Sequence, residues 1–199
     1  MVERSGDRAT SLGQHDLAVA DYRELVERAP SVASYRLKYG RALLVAGEPH
    51  AAREQLEKAY TLMPRNDEVI DLLADAMAQS RDTDNAVRLL RTIAEDRKQP
   101  EDWMRLGRFL QRINDPDAAE AAFLTAARID QGVSFEPQWE LANLYRSVGA
   151  EQKALERLRM CLYLQPSNEQ VQQLIRGFGE VPGPTAALRP TEQYSVPPQ

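Results

Sequence analysis

One spacing governs what this chain can fold into: a small residue, then an alanine, a bulky apolar residue and a closing proline, recurring with a period of 34 residues. The stretch from Ser34 to Pro64 shows it most plainly. Tyr39, Gly40 and Leu43 lie on one helical stripe; after a break at Gly47, Glu48 and Pro49, a second stripe runs through Ala52, Leu56 and Ala59. Two amphipathic helices joined by a tight turn satisfy both stripes at the 3.6-residue period. Shifted back by 34, the frame meets Gly6, Ala18, Tyr22, Leu25 and Pro30; shifted forward by 34, it meets Leu73, Ala74, Met77, Ala86, Leu90 and Ile93, with Lys98 in place of the proline. A step of 33 brings Trp103, Leu106, Gly107, Leu110, Ala119, Phe123 and Ala126. A last step of 35 brings Leu141, Ala142, Tyr145, Ala154, Leu158 and Cys161, closing on Pro166.

Each position has a physical reason. Gly6, Gly40, Ala74, Gly107 and Ala142 are small because helices cross closely there, and a larger side chain would overpack the crossing by about 1–3 kcal/mol. Pro49 and Pro116 fall in the first turn of a second helix, where the fixed φ of proline is favourable and its missing N–H costs nothing; Asp115 is the N-cap beside the latter. Gly13, Gly47 and Gly149 share the inter-helix turn, a place for left-handed backbone.

This pattern resembles the tetratricopeptide repeat family over roughly residues 2–166, although only the fourth unit has the early tryptophan, Trp103, and the third and fourth lack the proline. The resemblance implies an all-α, right-handed superhelical solenoid of five antiparallel helical hairpins, with boundaries near 1–30, 31–64, 65–98, 99–132 and 133–166. After Pro166, Val171, Leu174 and Ile175 form an apolar stripe on a capping helix over 167–177, which a solenoid needs to close its end. Residues 178–199 hold five prolines and two glycines without periodicity and read as a disordered tail, the alternative being a tail that folds over its own array. Met1 falls just inside the first helix, so either the first unit starts short or residues preceding it are missing.

Charge and motifs bound the function. With 25 basic against 30 acidic residues the chain carries −5, which argues against a phosphate-backbone binder and hence against nucleic acid. No apolar run is long enough to span a membrane, and the N-terminus has no signal-peptide h-region. The compartment stays open between cytoplasm and cell envelope. No nucleotide-binding, zinc-protease, paired-cysteine or nucleophile-elbow motif is present, so neither an enzyme nor a cofactor is expected. His15 and His50 sit on separate turns. The pair Asp71 and Asp75 reads as a charged wall rather than as ligands or an acid–base couple. Cys161 is a core residue that forms no intrachain disulfide.

In the family, the first helices of successive units line a concave groove. The resemblance places there Glu3, Asp7 and Thr10; Leu37, Arg41 and Leu44; Asp71, Asp75 and Ala78; Met104, Arg108 and Gln111, with Arg112 on the rim; and Trp139, Asn143 and Arg146. The wall is acidic in its early and middle parts. It turns basic later, where Trp139, ringed by arginines, has the make-up of a peptide hot spot; the alternative is a tryptophan packed on Met104 and Arg108 or in the hairpin seam. The lysine–asparagine clamp with which some members hold a chaperone carboxylate is absent, since Glu3, Asp7, Lys38, Asp71 and Asp75 stand there. These readings imply a non-catalytic scaffold that binds a peptide or extended segment of a partner protein. The alternatives are a self-assembling homo-oligomer and the accessory repeat region of a larger enzyme or envelope complex.

Overall fold

The computed structural model describes residues 2–194, with side chains through Gln193, so Met1 and residues 195–199 of the expected tail lie outside the described residues. The described chain is all-α. Eleven helices and one short 3-10 helix follow one another without a strand among the described residues. Two compact units divide it, Met1–Leu90 and Arg91–Gln199, with the boundary inside the sixth helix, α6 (Thr83–Arg97).

In the first unit α1 (Val2–Ser11) pairs with α2 (His15–Arg28), and α3 (Ala33–Val45) with α4 (Pro49–Leu62); α2 then packs on α3, and α4 on α5 (Asp67–Gln79). In the second, α7 (Pro100–Arg112) pairs with α8 (Pro116–Ile129) and α9 (Phe135–Ser147) with α10 (Glu151–Leu164), followed by α11 (Glu169–Gly177) on α10. From α1 to α5 in the first unit and from α7 to α11 in the second, each helix touches its neighbours in sequence, as the periodic stripes require.

Four of the small first-helix positions, Gly6, Gly40, Gly107 and Ala142, are small for a specific reason: they face the bulky residue of their own hairpin's second helix. A Cβ on Gly6 would stand 2.8 Å from Tyr22 Cε1, and one on Gly40 would stand 2.6 Å from Leu56 Cγ. At Gly107 it would run into the Phe123 ring. Ala142 and Leu158 repeat the pairing inside a buried cluster with Cys161, Leu162, Val171 and Ile175. The turns obey the frame too. Gly13, Gly47 and Gly149 have φ of 68°, 79° and 73°, and the equivalent positions of the third and fourth hairpins hold Arg81 at 63° and Asn114 at 62°. Where Pro30, Pro64 and Pro166 close units, Lys98 and Gln131 are left-handed, at 53° and 57°. Proline, locked near φ −65°, has no place in that exit turn.

Local chemistry fixes the helix starts. Pro49, Pro100 and Pro116 occupy first-turn positions. The side chains of Asn66, Asp115 and Asn168 accept hydrogen bonds from the backbone N–H groups of Val69, Ala118 and Val171, satisfying donors that the helix leaves orphaned. At the far end α11 buries Val171 and Ile175.

The segment beyond α11 departs from the expectation of disorder. Through Gln193 it runs back along α10 and α9: Glu180 pairs with Arg159, the Leu188 amide donates to the Arg159 carbonyl at 3.0 Å, and Ala186 and Ala187 pack on the cluster around Leu158. Composition is a measure of how much apolar surface a segment can bury. It is blind to a few well-placed anchors, and this segment has them.

Candidate functional site: the exposed first-helix faces and a tail-filled pocket

In the first unit the charges of the expected groove are engaged with one another. Lys38 on α3 donates to Glu3 and to Asp7 on α1, both at 2.8 Å, and the Tyr22 hydroxyl donates to Asp7 at 2.9 Å. The hydrogen bond from Lys38 outweighs desolvation and, with Tyr22, holds the Asp7 carboxyl below the usual range. Arg41 pairs with Glu68 across to α5. Asp75 is half-buried on α5. The acidic wall read from the sequence is in large part a set of cross-hairpin ion pairs.

In the second unit Arg108 and Arg112 lie one turn apart on α7, both exposed, and Asn143 and Arg146 lie on α9. Arg108 reaches Glu140 of α9 at 2.6 Å, so the two first helices present these groups on a shared face. Arg112 stands over the Phe109 ring at 5.3 Å, and Arg146 donates to the Asn143 side chain at 3.2 Å. Two expected members do not join them. Met104 is only 4 % exposed and belongs to the core. Trp139 stacks on Phe135 at 5.7 Å between centroids and packs, half-buried, against the cluster built by α9, α10 and α11. The apolar stripe of α11 gives the indole a surface to cover, which explains why its area goes to the hairpin end rather than to an open wall.

The same unit holds a site that the sequence reading passed over. Gln138 takes the α9 position that Trp103 takes on α7, and its side chain is fully buried. Its Oε1 accepts from Arg157 of α10 at 2.6 Å, and its Nε2 donates to Glu192 at 3.2 Å. Arg157 also donates to Glu192 Oε1 at 2.7 Å, with side-chain exposures of 12 % and 7 %. Glu192 belongs to the 3-10 helix Thr191–Tyr194. Burial alone would raise its carboxyl, yet the Arg157 hydrogen bond and charge, a backbone N–H and Gln138 together hold it below the usual glutamate range.

Two neighbours complete the arrangement. Pro190 is buried and sits where a Cβ on Gly132 would approach its Cβ to 2.8 Å, and Gln193 donates to the Gly132 carbonyl at 2.8 Å. Gly132 lies in the α8–α9 loop, tied by Ser134 donating to Asp130. At residues 130–134 that loop is one residue longer than the loops at 29–32 and 63–66, so the extra residue of the 35-residue step falls where the tail docks. A glutamine in an aromatic slot was the sequence signal for this pocket.

Elsewhere, Tyr145 donates to Glu120 at 2.7 Å, Lys153 donates to the same oxygen at 3.0 Å and lies over the Tyr145 ring, and together they tie α8, α9 and α10. Burial, ahead of that hydrogen bond, pushes the Tyr145 hydroxyl upward. Burial likewise pushes the Cys161 thiol up to about 12, which leaves it an inert core group. His15 and His50 are exposed, and among the described residues no group of three or more His, Cys, Asp or Glu is disposed to hold a metal ion. No described helix is long and apolar enough to cross a membrane.

Comparison with known proteins agrees with this architecture. Three family models, each described as tetratricopeptide repeat, match residues 4–67, 43–106 and 103–132. No curated protein sequence matches. Among solved structures, the chain is similar to MamA, at 21% identity and TM-score 0.60, covering 85% of this chain and 92% of that one. It is also similar to YrrB, a TPR protein with an unusual peptide-binding site, at 20% identity and TM-score 0.54, covering 86% and 88%. A third likeness is to pilF of Pseudomonas aeruginosa, at 19% identity and TM-score 0.58, covering 89% and 83%. At these identities the likeness is one of fold.

Proposed function

Since the chain belongs to the tetratricopeptide repeat family, whose members are generally protein-interaction scaffolds, we propose that it is a non-catalytic scaffold holding an extended acidic segment of a partner protein. The observation that carries this reading is the basic face of the second unit, where Arg108 and Arg112 on α7 stand beside Asn143 and Arg146 on α9. Guanidinium groups at helical spacing on rigid helices offer forked donors to successive carboxylates, and the rigid side of the complex has no ordering cost.

Arg108 is already paired with Glu140, whose carboxylate is 20 % exposed, but the guanidinium itself is 54 % exposed. A guanidinium has five N–H donors, so a ligand carboxylate can bind its open side while Glu140 stays in place. Met104 and Trp139 contribute by stiffening the wall, not by contact. YrrB, with its unusual peptide-binding site, is a precedent for peptide binding on this fold.

A peptide array of acidic, neutral and basic sequences tests the reading. The wild-type chain is expected to retain acidic peptides, less so as salt rises, and the variant carrying Arg108→Glu with Arg146→Glu is expected to lose them while keeping its helix content. Retention unchanged in the variant, or a preference for basic peptides, would overturn it.

A further inference from the structure

We propose a second peptide-recognition site at the α9–α10 seam, built from Gln138, Arg157 and the backbone of Gly132, which takes an extended Pro-x-Glu-Gln segment and is filled in cis by residues 190–193. It stands independently of the arginine face on α7 and α9, whose residues it does not use.

The receptor and its occupant divide cleanly. Gln138 and Arg157 sit on α9 and α10, which share a buried core of Ala142, Leu158 and Cys161; the tail adds the flanking, partly buried Ala186 and Ala187 to it. The occupant contributes no helix longer than the 3-10 turn and is held by a short list of anchors. These are the buried Pro190 against Gly132, the Glu192 carboxylate on Arg157 and Gln138, the Gln193 amide on the Gly132 carbonyl, and the Leu188 amide on the Arg159 carbonyl. An apolar ring, a fixed carboxylate two residues on, an amide beside it and a main-chain bond upstream are the terms in which peptide-binding domains read a linear motif.

The carboxylate is required by the receptor. Arg157 is largely buried and points its guanidinium at Gln138, whose amide has one oxygen and one nitrogen to satisfy. Removing the acid would leave a guanidinium and an amide N–H facing a space without their acceptor, which is strongly unfavourable for a desolvated charge. The seam is therefore selective for a carboxylate at that place, and a glutamine there would give Arg157 only a neutral acceptor. Because the tail is the resident ligand, a partner carrying the same pattern gains entry only as residues 188–193 leave.

The test uses the full chain with Pro190→Gly and Glu192→Ala together, which removes the ring and the acid of the tail and leaves the helices untouched. Hydrogen exchange at the Leu188 amide reports whether the tail is released. A fluorescein-labelled peptide of the sequence LRPTEQ is then titrated by anisotropy against wild type and variant. The expected result is faster exchange at Leu188 in the variant and binding of the peptide at least tenfold tighter than to wild type. A peptide with its glutamate replaced by glutamine should bind at least tenfold more weakly. An unchanged Leu188 exchange rate, equal or absent binding to both proteins, or equal binding of the glutamine peptide would each overturn the proposal.

Discussion

Glu192 shows how much can hang on one side chain: a carboxylate almost out of water, facing a guanidinium and an amide. Its folded-state pKa is depressed, so the stability it gives to the docked tail is complete above the ordinary glutamate value of about 4.3. That stability is lost as pH falls through the lower folded-state value. In an acid titration followed by NMR, the Leu188 amide is expected to move to its undocked position in that window. With Glu192→Gln the docked population should show no such titration. At this scale the sequence was legible where a residue's role follows from size alone, as at Gly40 and Gly107. It was less so where two roles share one residue type. Trp139 and Met104 have the character of a binding wall, yet the indole finds cover on the end of its own hairpin array and the thioether lies in the core. Gln138 and Arg157 were passed over because the partner that buries them comes from far along the chain.

At the scale of the element, the connections carry the information. The inter-helix turn needs left-handed backbone in every hairpin, and glycine supplies it in three, while Arg81 and Asn114 adopt it with a Cβ. Arg81→Gly is expected to stabilise the chain by up to about 1 kcal/mol, by relief of the left-handed penalty offset by chain entropy. The opposite change, Lys98→Pro, is expected to destabilise by more than 1 kcal/mol, because it forbids φ of 53° and removes the N–H that donates to Ala94. Urea denaturation of the two variants measures both; a Lys98→Pro protein as stable as wild type would contradict the exit-turn account. The missing prolines of the third and fourth hairpins looked like lapses in the repeat. They mark a different turn geometry, which a period alone does not encode.

For the molecule as a whole, stability should be graded by how much each helix buries against its neighbours in its own unit. In the first unit α1 buries only Gly6 and Ala9, whereas α2 buries five residues. In the second, α7 and α9 bury six each, α8 and α10 five each and α11 two. Native-state hydrogen exchange is accordingly expected to be fastest in α1 for the first unit and in α11 for the second, with α7–α10 the slowest of the second; uniform protection would argue for one all-or-none block. The hairpin count and helix faces were legible because each depends on contacts within about one repeat. The tail was not, because the contacts that hold Glu192 and Gln193 reach more than one repeat back, to Gly132, Gln138 and Arg157. That docked segment also has a bearing on turnover. From residue 177 onward the chain has a single basic side chain, Arg189, and the peptide bond that follows it leads into Pro190, a junction that trypsin-type proteases leave uncut. A protease of that specificity reaching Arg176 would cut the docked segment's tether to α11 and leave residues 188–193 whole, so the cut would turn a tethered ligand of the seam into one that can dissociate and be competed away.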